Sequence, residues 1–201
     1  MGILKRTIYT TTVIASAVAF SWPAFGAGPV AEKLSDQAAS ISSRKTTDGR
    51  RWIKARVVVH APKDIVWNSI KDSRNHDPDL LHSRVLQAGE TQAIVEEKMR
   101  LPLIGSDVYV VKITSKPFER WDYKLLKSHH LKEYEGTWHV SAGDTDGSSV
   151  LQLEHHARPN FFVPGPLFDR FVVRRVERQI MNVKRIAETN GQAKAKPSSN
   201  K

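Results

Sequence analysis

The sequence contains no cysteine at all. Disulfide bonds, thiol nucleophiles, CxxC redox motifs and zinc sites built on thiolates are therefore excluded, and the folded protein must depend on its apolar core for stability. The histidines do not follow HExxH or a similar metal-ligand spacing, so we predict no metal site. We also expect the protein to act without a cofactor.

The sequence also lacks an apolar run long enough to be a strong transmembrane span. The run at residues 7–20 is short and includes three consecutive threonines, and Lys5 and Arg6 precede it. A basic start, a short apolar stretch and small residues before position 27 are typical of a secretory signal peptide. We therefore predict a signal peptide at residues 1–26 and an exported protein, located in a bacterial periplasm and associated with a membrane. Retention of the segment as an uncleaved anchor is the alternative.

Basic residues outnumber acidic ones by 31 to 21, which gives a net charge of +10 and a pI near 9.9. Such a charge favours an anionic partner, either nucleic acid or an acidic lipid surface. Because the predicted export separates the protein from nucleic acid, we predict no nucleic-acid partner and expect a peripheral contact with an anionic membrane.

The most regular pattern in the chain is a helical one at residues 166–188. Apolar side chains recur there at spacings of three and four, which predicts one apolar stripe along a long helix. The stripe consists of Phe168, Val172, Val176, Ile180, Val183 and Ala187. The remaining surface is rich in arginine, and we expect it to be solvated and partly paired with glutamates. Its residues are Arg170, Arg174, Arg175, Arg178 and Arg185, with Glu177 and Glu188 among them.

The residues before this helix predict an antiparallel sheet. Residues 27–50 are small and polar and are expected to form a flexible lead-in. A strand at residues 52–60 and two short helices follow, and six short β-like runs separated by turn formers then predict a meander. The prediction is an α+β domain at residues 51–189, in which a curved antiparallel sheet of about seven strands wraps around the long C-terminal helix. Residues 190–201 are expected to be a disordered basic tail.

This order of elements resembles that of the START-like superfamily, also called Bet v 1-like or SRPBCC, which has the helix-grip fold. The resemblance rests on the strand-to-helix entry at residues 57–67, on Glu135-Gly-Thr-Trp138 in the penultimate strand, and on the arginine-rich last helix ending at Ile186-Ala-Glu188. Within the superfamily, the chain is most similar to the polyketide cyclase/dehydrase and coenzyme Q-binding relatives. The resemblance implies a hydrophobic cavity between the sheet and the long helix. It supplies no catalytic residue, because these motifs are architectural.

In such a meander, alternate strands run in the same direction, so the loops after three of them meet at one end of the domain, beside the start of the long helix. These loops are unusually apolar for loop tips. We predict that they form a portal that gates the cavity and enters a membrane during ligand exchange. The alternative is that Phe161 and Phe162 fold back as ordinary core. The predicted portal residues are Leu103, Ile104, Phe161, Phe162 and Val163.

The predicted cavity lining is aromatic and apolar, and only two weak catalytic candidates stand out. Glu97 shares a strand face with Val95 and Met99, and burial there would raise the pKa of its carboxyl and make it a base. His130 lies near the predicted portal. The predicted cavity residues are Tyr109, Tyr134, Trp138, Phe168 and Val172.

Two pairs of adjacent histidines, His129-His130 and His155-His156, lie in or beside predicted strands. Adjacent strand side chains point to opposite faces, so the two members of a pair cannot enter one pocket together. We expect each pair to have one solvated and one cavity-lining histidine.

Together these features favour a protein that binds and carries a hydrophobic small molecule, such as a lipid, an isoprenoid quinone or a polyketide-like compound. The alternative is a cyclase/dehydrase-type enzyme that uses a cavity carboxylate or histidine. A third hypothesis is an interaction module at the membrane or envelope that holds no ligand. The sequence predicts no oligomeric state.

Overall fold

The computed structural model describes residues 38–101 and 105–189, which form eight strands and two helices. The predicted signal peptide at residues 1–26 and the predicted tail at residues 190–201 lie outside the described residues. In chain order the elements are β1 (Ser40–Lys45), β2 (Arg51–Val59), α1 (Lys63–Asn75), β3 (Leu80–Ala88), β4 (Gln92–Leu101), β5 (Gly105–Lys116), β6 (Arg120–Lys127), β7 (Leu131–Ala142), β8 (Ser149–Pro159) and α2 (Gly165–Glu188).

All eight strands belong to one antiparallel sheet in the order β1-β2-β8-β7-β6-β5-β4-β3. The sheet is curved and does not close into a barrel. Helix α2 packs against β2, β8 and α1 on the concave side. Strand alternation turns Ile53, Ala55 and Val57 of β2 toward this helix, where all three are buried. The predicted α+β helix-grip architecture is confirmed.

Two details differ from the prediction. The lead-in predicted at residues 27–50 contributes an eighth strand, β1, because residues 40–45 pair along the edge of β2 and Ile41 packs against the core. The two short helices predicted before the meander are a single helix, α1. It ends at Asn75, and an aspartate turn follows in which the Asp79 backbone N–H donates to Asp77 Oδ1 at 3.0 Å.

Helix α2 buries the predicted apolar stripe, with Phe168 half-buried at its start. The prediction of a solvated arginine surface is wrong for Arg175, whose side chain is 4% exposed. Lys184 is also buried; its Nζ donates to the Val58 carbonyl oxygen at 2.7 Å and forms an ion pair with Glu188. Neither described helix is long and apolar enough to cross a membrane.

Candidate functional site

The space between the concave sheet face and the two helices contains a cavity with two lobes. The larger lobe has a volume of about 700 Å³ and the smaller one about 310 Å³. Met99, Tyr109 and Tyr134 line both lobes, so these three side chains form the boundary between them. Both volumes fall in the range of small-molecule binding pockets.

The larger lobe has one apolar wall and one polar wall. Its apolar wall is formed by α1 and the inner sheet face, where Val111, Trp121 and Trp138 point inward. Its polar wall is formed by the C-terminal end of α1, the following turn and the middle of α2. The polar wall includes Ser73, Arg74, Asn75, His76, Asp77, Arg178, Gln179, Asn182 and Arg185. Because Asn75 and Arg178 are exposed, this lobe reaches the surface between α1 and the middle of α2.

The smaller lobe lies under the N-terminal end of α2, and its wall is mostly apolar. Leu131, Ala157, Phe168 and Val172 are among its lining residues. Among the described residues that line it, every side chain with a fixed charge is an arginine of α2. These are Arg170, Arg174 and Arg175.

A buried polar cluster lies at the boundary between the lobes. Glu97 and Tyr109 are opposite each other in the β4–β5 register, and the Tyr109 hydroxyl donates to Glu97 Oε2 at 2.9 Å. Arg74 of α1 forms an ion pair with the other carboxylate oxygen. Burial raises the pKa of Tyr109 well above its usual range, so its hydroxyl stays protonated as a donor. Both oxygens of Glu97 therefore have partners.

A second polar pair lies deeper in the sheet. The Tyr123 hydroxyl lies 2.6 Å from His155 Nδ1, and burial lowers the pKa of His155 to about 3, with the nearby Arg175 adding to the shift. Gly136 makes this pair possible, because a Cβ at that position would lie 2.3 Å from the Tyr123 hydroxyl. The Tyr134 ring packs beside both partners, 5.3 Å from the Tyr123 ring and 5.1 Å from the His155 ring. His155 is thus a neutral polar group in the wall of the smaller lobe.

Comparison with known proteins supports the fold. No protein-family model and no curated protein sequence matches the chain, but many solved structures resemble it. A START superfamily protein from Mycobacterium smegmatis is 14% identical, with a TM-score of 0.60 over 69% of this chain and 98% of the other. The Zhui aromatase/cyclase from Streptomyces sp. R1128 is 16% identical, with a TM-score of 0.56 over 75% and 98%. Human StAR-related lipid transfer protein 5 is 14% identical, with a TM-score of 0.61 over 77% and 84%.

The chain has the START-like fold. At these identities the similarity concerns the fold alone, and the side chains of this chain define the site. Of the predicted cavity residues, Trp138 lines the larger lobe, Phe168 and Val172 line the smaller one, and Tyr109 and Tyr134 line both.

The predicted portal residues separate into three groups. Leu103 and Ile104 lie outside the described residues. Phe161 and Val163 line the smaller lobe, whereas Phe162 is 92% exposed. One phenylalanine therefore folds inward, as the alternative interpretation expected, while its neighbour projects into solvent at the N-terminal end of α2.

The two catalytic candidates occupy different environments. Glu97 is buried in the wall of the larger lobe. His130 is not among the described residues that line either lobe; its side chain is 41% exposed, and its Nδ1 lies 3.1 Å from the buried Asp107. The structure does not bring the two candidates together into one site.

The second histidine pair is arranged differently from the prediction. His155 lines the smaller lobe as expected, but His156 is buried on the opposite sheet face and is not solvated. Its Nε2 lies 2.8 Å from Glu133 and its Nδ1 lies 2.8 Å from the Arg51 carbonyl oxygen, while the Trp52 ring lies beside it. Although burial alone would raise the pKa of Glu133, the hydrogen bond to His156 and the adjacent arginines lower it.

Sequence reasoning missed two residues of the site, Arg74 and Arg175. A partial signal existed for Arg175, because it follows Val172 by three residues and therefore lies on the same side of the helix as the apolar stripe. No local signal identified Arg74, since its partner Glu97 lies on a strand that α1 approaches only in the folded chain.

Proposed function

We propose that this START-like chain binds a hydrophobic small molecule, such as a lipid, an isoprenoid quinone or a polyketide-like compound, and carries it to or from a membrane. The observation that carries the proposal is the two-lobed cavity, with about 700 and 310 Å³ beneath α2 and a largely apolar inner wall. A ligand placed there would gain about 0.8 kcal/mol for each methylene group removed from water. The polar groups at the boundary would orient it.

Exchange at a membrane is supported by exposed apolar side chains at the N-terminal end of α2. Phe162 is 92% exposed and lies between two residues that line the smaller lobe, whereas Leu167 is 50% exposed and itself lines that lobe. Inserting the two side chains into lipid at about 1.5 kcal/mol each would contribute about 3 kcal/mol, which is enough for reversible docking. Export through the segment at residues 1–26 would place this activity in the periplasm, at an anionic membrane surface.

A carrier function fits the chemistry of the cavity better than a cyclase/dehydrase function. The Arg74 ion pair and the Tyr109 hydrogen bond each hold one oxygen of Glu97, so this carboxylate already links α1 to the sheet. His130 lies beside the Asp107 carboxylate and is not among the described residues that line either lobe, although its ring lies 6.2 Å from that of Phe161, which lines the smaller one. The one histidine among the described lining residues of the smaller lobe, His155, is paired with Tyr123, and burial lowers its pKa to about 3, so it is a poor base.

Lipid transfer between vesicles would test the proposal directly. The full chain is expected to speed the transfer of a fluorescent lipid from donor to acceptor vesicles, and native mass spectrometry should detect the lipid bound to the protein. Replacing both exposed apolar residues, Phe162→Ser with Leu167→Ser, is expected to weaken vesicle binding by up to about a hundredfold. Because Leu167 also lines the smaller lobe, binding of a soluble hydrophobic dye is compared in Phe162→Ser alone, where it should not change.

The matched control is Val85→Ser with Leu86→Ser. These side chains are 60% and 47% exposed on the edge strand β3, so the control removes a similar exposed apolar area elsewhere. It should leave both transfer and vesicle binding intact. A chain that binds neither lipid nor dye would exclude the carrier function, and an equal loss of transfer in the control would exclude this end of α2 as the docking site.

A further inference from the structure

The charge lining the smaller lobe has one sign. Its wall is apolar apart from the hydroxyls of Tyr109 and Tyr134, the arginines of α2 and His155, and the low pKa of His155 keeps that side chain neutral. No aspartate or glutamate is among the described residues that line it. A purely apolar ligand would not require such a wall.

The charges of the neighbouring arginines are already balanced. Arg175 forms ion pairs with Asp77 and Asp79, and Arg178 forms one with the same Asp79. These cations hold the turn after α1 against α2. The carboxylates of the folded chain therefore already neutralise both cations.

Arg170 and Arg174 differ from these two, because neither forms an ion pair with a carboxylate of the described chain. Asp169, beside Arg170, forms an ion pair with Arg51. The two arginines are four residues apart, so they lie on one face of α2 about one turn from each other and repel. An anion bound between them would relieve this repulsion, and a guanidinium group is suited to two-point contacts with a carboxylate or phosphate.

We propose that the smaller lobe binds a lipophilic anion, with its carboxylate or phosphate held by Arg170 and Arg174 and its apolar chain directed inward past Tyr134. This inference rests on the proposed function and narrows its ligand class. The head group stays at the rim, where both arginines are exposed, so it needs only partial desolvation. The chain fills the apolar interior next to Phe168 and Val172.

Dye displacement with two matched probes tests the proposal. N-phenyl-1-naphthylamine is bound to the full chain and displaced by dodecanoate or by 1-dodecanol, which have the same chain length but differ in head-group charge. We expect dodecanoate to displace the dye at a concentration about tenfold lower than dodecanol does. In Arg170→Gln with Arg174→Gln this ratio should fall to near one, with dodecanol unaffected. Lys112→Gln with Lys124→Gln, which removes two exposed charges from the convex sheet face, should keep the ratio.

The other outcomes overturn the proposal in distinguishable ways. Equal displacement by the two probes would refute anion selection and leave the proposed carrier function standing. If neither the dye nor either probe binds, both the proposed carrier function and this inference are refuted. Sedimentation with phosphatidylcholine vesicles, with and without phosphatidylglycerol, separates a bound ligand from a membrane surface. If the arginine variant loses vesicle binding but keeps its dodecanoate preference, the two cations serve the membrane surface and the proposal is wrong.

Discussion

The buried cation of α2 gives the sharpest stability prediction. The Arg175 side chain is 4% exposed and lies 3.2 Å from an oxygen of Asp77 and 3.1 Å from one of Asp79, whose side chains are 15% and 18% exposed. Arg175→Met would leave Asp77 without a cation and Asp79 with Arg178 alone. Removing one partner of a buried ion pair typically costs about 3–5 kcal/mol. We expect about 3 kcal/mol, because the aspartates keep some contact with water.

Urea unfolding followed by tryptophan fluorescence measures this effect. The free energy of unfolding typically falls by about 2 kcal/mol for each molar increase in urea, so a loss of about 3 kcal/mol should lower the unfolding midpoint by about 1.5 M. Arg178→Met is the matched control, since it removes an ion pair to the same Asp79 at 2.5 Å from a side chain that is 51% exposed. Exposed pairs contribute under about 1 kcal/mol, so the control midpoint should move little.

Two results would refute this reasoning. One is a loss below about 1 kcal/mol in Arg175→Met, and the other is an equal loss in the Arg178 control. The triple variant, Arg175→Met with Asp77→Asn and Asp79→Asn, should recover part of the stability, because it leaves no unpaired carboxylate under α2 and the freed Arg178 side chain is 51% exposed to water. Absence of any recovery would show that packing of the arginine stem, and not its charge, causes the loss.

Two further predictions concern the deeper polar pair. Gly136→Ala should lower the free energy of unfolding by about 1–3 kcal/mol, because the new Cβ would meet the Tyr123 hydroxyl and the Glu154 carbonyl oxygen; an unchanged urea midpoint would contradict this. The pKa of His155 is about 3 in the folded chain and about 6.5 in the unfolded chain. Its contribution to the free energy of unfolding is therefore fully present above about pH 6.5 and is lost as the pH falls toward 3. Between pH 7 and pH 5, above the range of most carboxylates, this group should account for a loss of about 2 kcal/mol. His155→Phe should remove that part of the pH dependence, whereas His129→Gln, a change at an exposed position, should leave it.

The fold could be predicted because its main elements carry their own periodic signals. The helical stripe from Val172 to Ala187 and the alternation along β2 and β5 each specify one buried face. The β1 strand could not be predicted in this way, since residues 40–45 have few large apolar side chains and are ordered by pairing with β2. Edge pairing depends on backbone hydrogen bonds, which do not require a particular order of apolar and polar side chains.

The cavity could be predicted in part. Alternation placed Glu97 on the same face as Val95 and Met99, and all three are buried. It could not show that Tyr109 lies opposite Glu97, because register is a property of the paired strands. The sequence also favoured ligand entry at the N-terminal end of α2, whereas the larger lobe reaches the surface near its middle. That lobe is formed where α1 ends, and the end of α1 was not predicted correctly.

The arginines of α2 show most clearly why local pattern is insufficient. By period alone they form one basic surface, but their partners lie far away in sequence: Arg175 reaches residues 96 and 98 positions earlier in the chain. Only the folded chain separates the cations that hold α2 against the turn after α1 from Arg170 and Arg174, which have no such role. The ion pairs of Arg175 stabilise the fold, which explains why a buried arginine is present there. No such contribution to stability explains Arg170 and Arg174, two neighbouring like charges at the rim of an apolar lobe. That is the physical reason to look for the missing counter-charge in the ligand.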